Sequence, residues 1–279
     1  MIDNARKYGL LLLFLSLLFV DIFIFYLDFI NSNKKLTFAM LDVGQGDALF
    51  IESPSGVQIL VDAGPSKKIL SELARVMSPF DKTIDMIIIT NPDQDHMAGF
   101  LDVLKNYKVG QVFESGTVND SKTYQNLEAE IYRQNISNFL ARAGMVFDLG
   151  GGVFIDILFP DRDVSDWSRN DGSLVMRLSY GEHSIMLTGD STMKTEKIIL
   201  DKYDKQELQS EILKVGHHGS RTSTSNSFVS VVAPSYALIS DGKDNKYGHP
   251  HKETLATLAQ FGVEVLRTDL LGTVVFTCD

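Results

Sequence analysis

The chain of 279 residues contains one cysteine, Cys278, placed one residue from the C-terminus. A single thiol can form no internal disulfide and no thiolate cluster, so any metal bound here must be held by His, Asp and Glu. Positive charge is also scarce: 26 Lys and Arg face 36 Asp and Glu, a formal net charge of -10. A protein that grips nucleic acid over a broad basic surface needs many cations at the phosphates, so that class is excluded, while transient catalytic contact with a nucleic acid remains open. Five basic residues between Lys214 and Lys252 (Lys214, Arg221, Lys243, Lys246, Lys252) outnumber two acidic ones there, which on its own reads as a solvated face. There is no long polar tract of low complexity, no internal repeat, no long linker and no break in composition after residue 33. With 44% hydrophobic and 22% charged residues, one globular domain over 34–279 is the simplest organisation.

The first 33 residues are different. After Arg6 and Lys7, an apolar run extends from Gly9 to Val20 and continues from Ile22 to Leu27, interrupted by Asp21 and followed by Asp28. About 22 residues at helical rise span a bilayer, with both aspartates in the half toward the outer interface. Segment 1–33 therefore reads as one transmembrane helix, a signal anchor. A cleaved signal peptide shares the basic start, but Asn31-Ser32-Asn33-Lys34-Lys35 offers no small-x-small cleavage site. Arg6 and Lys7 favour an N-terminus inside, and Lys34 and Lys35 pull the other way. The expectation is a membrane-anchored protein with its catalytic domain outside the cytoplasm, secreted if the segment is removed.

From Leu36 onward, short β-rich runs alternate with helical stretches. Strands are expected over 36–43, 48–52 and 57–61, with Ser53-Pro54-Ser55-Gly56 as a turn. The run Asp85-Met-Ile-Ile-Ile-Thr90 has the character of a strand covered on both faces. Helices are expected over 97–107, 122–142, 193–203 and 253–261, and further strands over 173–180, 184–188, 211–215, 236–240, 263–266 and 272–276. Such an order implies sheets facing each other with helices outside.

Polar clusters follow the apolar strands: Asp93, Asp95 and His96 after the isoleucine run, Asp190 in Leu-Thr-Gly-Asp-Ser, His217-His218 after Leu213-Lys-Val-Gly, and His249 in Tyr-Gly-His-Pro-His, with Asp42 to Asp47 at the entrance. Five of the six histidines lie in these clusters and only His183 does not. Imidazoles and carboxylates converging from separate strand ends are what a divalent-metal site needs, because each supplies a lone pair and the carboxylates offset the cation charge. The glycines of Val-Gly-Gln-Gly-Asp read as a tight turn that lets backbone approach this pocket; no helix start follows, as a nucleotide-binding loop would require.

Together, Asp42-Val-Gly-Gln-Gly-Asp47, Thr90-Asn-Pro-Asp-Gln-Asp-His96, Thr188-Gly-Asp190, Lys214-Val-Gly-His-His-Gly-Ser220 and Tyr247-Gly-His-Pro250 resemble the metallo-β-lactamase-type domain of ComEC-type DNA-uptake competence proteins, in order from about residue 36 to 279. The resemblance implies an α/β (α+β) fold, a four-layer αββα sandwich preceded here by the N-terminal helix, with two divalent metal ions between the sheets. It implies Asp95 and His96 on one ion, Asp93 on the other and Asp190 bridging them. His217, or its neighbour His218, and His249 would supply the remaining imidazoles, and Asp62 would support a ligand rather than be one. The chain departs from the family at Asn91, a degenerate ligand position where the motif begins with histidine. With Asp93 beside it, that position is oxygen-rich and shifts preference from Zn²⁺ toward Mn²⁺ or Mg²⁺.

The activity implied is a phosphodiesterase or nuclease on single-stranded DNA. Asp95 would orient and deprotonate the attacking water, and Lys214, Ser220 or Arg221 would donate to phosphate oxygens. The full family protein also has a membrane channel, which this chain cannot form alone, so DNA uptake would need a separate channel subunit. The fold serves many chemistries, so another phosphoester or ester substrate, or a non-catalytic binding subunit degenerate at Asn91, are the competing expectations.

Overall fold

In the computed structural model, residues 2–32 and 35–278 are described, and the boundary expected at 33/34 lies outside the described residues. Helix α1 (Ile2–Ser32) carries the apolar run. Its window Lys7–Ile24 has a mean hydropathy of 2.1 and is exposed throughout its described side chains, so it is long and apolar enough to cross a membrane by length and composition.

The first half of the body runs β1 (Leu36–Met40), β2 (Leu49–Glu52), β3 (Gln58–Val61), α2 (Lys68–Val76), β4 (Thr83–Ile89), α3 (Gln94–Met97), α4 (Phe100–Asn106), β5 (Lys108–Glu114), α5 (Lys122–Arg133) and β6 (Ser137–Leu140). The second half runs β7 (Val146–Asp148), β8 (Val153–Phe159), β9 (Val175–Tyr180), β10 (His183–Leu187), α6 (Met193–Lys202), α7 (Lys205–Leu208), β11 (Ile212–Lys214), a 3₁₀ turn (Gly216–Gly219), α8 (Asn226–Val232), β12 (Tyr236–Ile239), α9 (Lys252–Gln260), β13 (Glu264–Arg267), α10 (Thr268–Leu271) and β14 (Val274–Cys278). Two seven-stranded sheets result, ordered β14-β1-β2-β3-β4-β5-β6 and β13-β12-β11-β10-β9-β8-β7. In each, antiparallel strands give way to a parallel stretch, β3 to β6 and β10 to β13, where helices cross between strands.

Period-2 alternation builds the layers. On β1, Phe38 and Met40 face the opposite sheet while Ala39 faces helices; on β4, Met86 and Ile88 do the former and Ile87 and Ile89 the latter. The isoleucine run is thus covered on both faces. Ile155, Met176, Leu178, Ile185 and Leu238 complete the core between the sheets. Leu73, Phe100, Val103, Leu127 and Ile131 from α2, α4 and α5 cover the first sheet, and Ile199, Phe228, Val229 and Leu258 from α6, α8 and α9 cover the second. The order is helices, sheet, sheet, helices.

Two expected helices are corrected. The one expected over 122–142 stops at Arg133, because Asn135 turns the backbone left-handed (φ 56°) and 137–140 then joins the first sheet as β6, parallel to β5. The one expected over 97–107 is two pieces, broken at Ala98-Gly99. There the chain passes so close to Ala63 that a Cβ on Gly99 would lie 2.0 Å from the Ala63 carbonyl oxygen.

Candidate metal centre

The loops that follow β4, β10 and β11 meet at one end of the sandwich, where parallel strands of both sheets terminate. After β4, Asp93 stands at the start of α3, whose single turn carries Asp95 and His96. After β10, Gly189 takes φ 51° against Thr90 and delivers Asp190. After β11, His217 and His218 are both left-handed (φ 50° and 53°), a conformation that non-glycine residues adopt at a cost. The glycine turn ahead of β2 leans on α3: the Asp47 N–H donates to the Asp95 carbonyl at 3.1 Å, and a Cβ on Gly46 would fall 2.1 Å from that same oxygen.

Four side chains converge. His96 Nε2 lies 3.1 Å from Asp190 Oδ2, and His218 Nε2 lies 3.4 Å from Asp95 Oδ2 and 3.5 Å from Asp190 Oδ1. Donors each about 2.0–2.1 Å from a tetrahedral ion stand roughly 3.3 Å apart, so this spacing suits one cation at the centre. His96 Nε2, His218 Nε2 and Asp190 Oδ1 are buried and make no hydrogen bond to the protein. Buried polar atoms are seldom left unpartnered, and three aimed at one point are the fit a metal site requires. The opposite ring nitrogens are held: His96 Nδ1 is 2.8 Å from Asp62 Oδ2, and His218 Nδ1 is 2.9 Å from the Ser240 carbonyl. Donation from Nδ1 leaves the Nε2 lone pair facing the site. Asp62 in turn accepts from the Thr90 N–H at 2.9 Å and the Thr90 hydroxyl at 2.6 Å. It also closes a second grouping with Asp47 behind the His96 ring, but the Nδ1 there is already engaged.

Charges inside the site bias each other strongly. Burial opposes ionisation of Asp190, yet His96 and His218 outweigh it and hold the carboxyl well below its ordinary range. Burial likewise opposes protonation of His218, and Asp190 and Asp47 overcome it, pushing the imidazole up to about 10, so that a metal ion taking the Nε2 lone pair would displace a proton. Asp95 is lowered against its burial by His218 and His96. His249 is held down to about 4 by burial first and by His218 next.

His217 and His249 stand at the rim rather than in the cluster. His217 Nε2 is 3.8 Å from Asp190 Oδ2, and its ring contacts the Asn170 amide and Thr222. His249 packs edge-on against His217 with centroids 5.6 Å apart. Of the adjacent pair, it is His218 that belongs to the groupings with Asp95, His96, Asp190 and Asp47.

Lys214 is corrected. It is fully buried, its Nζ donates to the Gly189 carbonyl at 3.1 Å and it forms an ion pair with Asp47, so it cannot reach a substrate. The local basic excess shrinks accordingly. Ser220 is buried as well, and Arg221 pairs with Glu253 at 3.7 Å.

Asp93 is 2.6 Å from Arg169 Nε, and Asn91 is fully buried, donating to Asn170 Oδ1 (2.9 Å) and Ser173 Oγ (3.2 Å) while accepting from the Asp93 N–H (3.0 Å). Arg169, Asn170 and the Asp47–Lys214 pair were not singled out from sequence. Arg169 and Asn170 precede a strand instead of following one; their signal was the polar Arg169-Asn-Asp-Gly-Ser173 abutting the apolar β9.

The centre opens into a cavity of about 420 Å³ lined by Gln45, Asp95, Asp190, His217, His218 and His249. Two further cavities share residues with it. One, about 400 Å³, holds Trp167 and Arg169, and the other, about 420 Å³, holds Asn245, Lys246 and Tyr247.

The profile of the Metallo-beta-lactamase superfamily matches residues 41–240. The chain is 33% identical over 253 residues to ComE operon protein 3 of Bacillus subtilis (84% of this chain, 32% of that protein). It is 28% identical over 238 residues to Competence protein ComA of Neisseria gonorrhoeae (84% and 31%). It thus spans about a third of the length of these relatives. Among solved structures, it resembles CmlA, a diiron beta-hydroxylase from Streptomyces venezuelae, with a TM-score of 0.56 and 15% identity over 88% of this chain and 54% of that one, a likeness of fold.

Proposed function

Because the chain belongs to the metallo-beta-lactamase superfamily, we propose that it is a metal-dependent phosphodiesterase that cuts single-stranded DNA outside the cytoplasm, anchored to the membrane by α1. The observation that carries this reading is the convergence of Asp95, His96, Asp190 and His218 on one point, with both Nε2 atoms lacking a protein partner. A divalent ion held there, Mn²⁺ or Zn²⁺ by this mix of imidazole and carboxylate and Mg²⁺ less favourably, supplies Lewis acidity and acidifies water. Asp95 is the most open of the four, ionised and facing the cavity, so it is placed to orient an attacking water and accept its proton. His96 and His218 are kept in register by Asp62 and Ser240.

The substrate class rests on shape and on the relatives. The central cavity shares lining residues with two others, one holding Trp167 and the other Tyr247, and such a chain of cavities suits an extended polymer. Lys246 stands beside Tyr247 and the half-exposed Arg169 shares the cavity of Trp167, giving local cations for phosphates on an otherwise acidic protein. Two relatives bear the words competence or ComE in their names, which favours a DNA-uptake setting with a separate channel subunit as partner.

The test strips the purified full chain with chelator and follows cleavage of labelled single-stranded DNA with Mn²⁺, Zn²⁺ or Mg²⁺ restored. Cleavage should return with metal and fall to background in Asp190→Ala. An inert metal-loaded chain would remove the nuclease reading and turn the search to other phosphoesters.

A further inference from the structure

A dinuclear centre needs lone pairs around a second cation, and at Asp93 those of Oδ1 and of the neighbouring Asn91 side-chain oxygen are already engaged. The Asn91 side-chain oxygen accepts the Asp93 N–H, and its amide nitrogen donates to Asn170 and Ser173. Asp93 Oδ1 pairs with Arg169 Nε at 2.6 Å and lies 3.4 Å from the Asn119 amide nitrogen, while the Asn170 amide nitrogen points to the His217 ring. The surroundings of Asp93 therefore present N–H donors, which suit an anion and repel a cation.

Charge leads to the same result. Arg169 neutralises Asp93, and Lys214 neutralises Asp47. Asp62 lies on the far side of the His96 ring and accepts from Thr90, so Asp95 and Asp190 are the carboxylates left facing the free Nε2 atoms, and two carboxylates balance one divalent ion.

We propose that this centre holds one divalent ion, on Asp95, His96, Asp190 and His218, and that the Arg169 guanidinium, paired with Asp93, replaces the second ion as the positive charge that receives an anionic oxygen of the substrate. The last clause rests on the phosphodiester reading; the ion count does not. Arg169 keeps nearly half of its side chain exposed and lines both the central cavity and the Trp167 cavity, so its remaining N–H groups can reach a phosphate.

The test counts ions on the full chain, loaded with Mn²⁺ and freed of excess, by elemental analysis and by the electron paramagnetic resonance signal. The wild type should carry about one ion per chain with the resolved hyperfine pattern of isolated Mn²⁺, and Asn91→His with Arg169→Ala, which clears the guanidinium and restores an imidazole, should carry about two. Inorganic phosphate should bind the Mn²⁺-loaded wild type at least about 10-fold more tightly than Arg169→Ala, the loss of one charge-assisted pair. Two ions on the wild type with Asp93→Ala losing one, no ion at all, or a double variant that still takes one would each overturn the proposal, as would phosphate affinity indifferent to Arg169. None of these outcomes depends on DNA being cut, so a failed nuclease assay and a failed ion count are separate results.

Discussion

At the scale of single residues, the neighbours His217 and His218 have unequal standing. His218 Nε2 is buried, unpartnered and within 3.5 Å of two carboxylates, whereas His217 leans on Asn170 and Thr222 at the rim. His218→Ala should weaken Mn²⁺ binding by more than the roughly 10–100-fold that loss of an outer hydrogen-bond partner costs, and His217→Ala by less, as read by titration calorimetry. The motif His-His was plain in the sequence, but which ring turns inward is decided by two left-handed backbone angles that no spacing reveals. Lys214 was legible only as a cation. Its place at the end of a strand walled in on both faces makes it an internal counter-charge for Asp47. Lys214→Met should therefore strand a buried carboxylate and cost roughly 3–5 kcal/mol in denaturant unfolding. The Arg169 pair was hidden for a different reason: a search for metal donors passes over a guanidinium.

At the scale of elements, the strands were legible where both faces are apolar, as in the isoleucine run of β4, and the ligands were legible because they follow such strands. Helices α2 and α8 and strands β5 and β8 were not, although α2 carries Ile69, Leu70, Leu73 and Val76 and β8 reads Val-Phe-Ile-Asp-Ile-Leu-Phe; they are short, and the contacts that cover them come from far along the chain. Helix α5 illustrates another tension. Glu128 faces the sheet close to Glu114, with a buried oxygen that finds no partner, and burial first and the Glu114 charge second push its carboxyl up to about 7. A carboxyl raised on folding holds its proton longer in the folded state, so stability is lost as pH climbs from the ordinary glutamate range through about 7. Glu128→Gln should raise the Tm at and above neutrality and leave it unchanged in acid, where wild type and variant are both uncharged; an equal gain at every pH would point to packing instead.

At the scale of the whole molecule, the four-layer order followed from alternating strands and helices, while the pairing of two seven-stranded sheets did not, because sheet order is set by contacts hundreds of residues apart. Asp95 and His96 belong to the first half and Asp190 and His218 to the second, so a cation held by these four would link both sheets. Metal at 100 times its Kd should add about 2.7 kcal/mol to stability and raise the Tm, a gain that His218→Ala abolishes in calorimetry.

The outermost strand of the first sheet is β14, and it pairs with β1, Leu36 opposite Cys278 and Met40 opposite Val274. Strand β1 thus waits for a partner far along the chain, and until residues 274–278 emerge one side of β1 has bare backbone amides and carbonyls. The first sheet is therefore complete on that side only when both 36–40 and 274–278 are present.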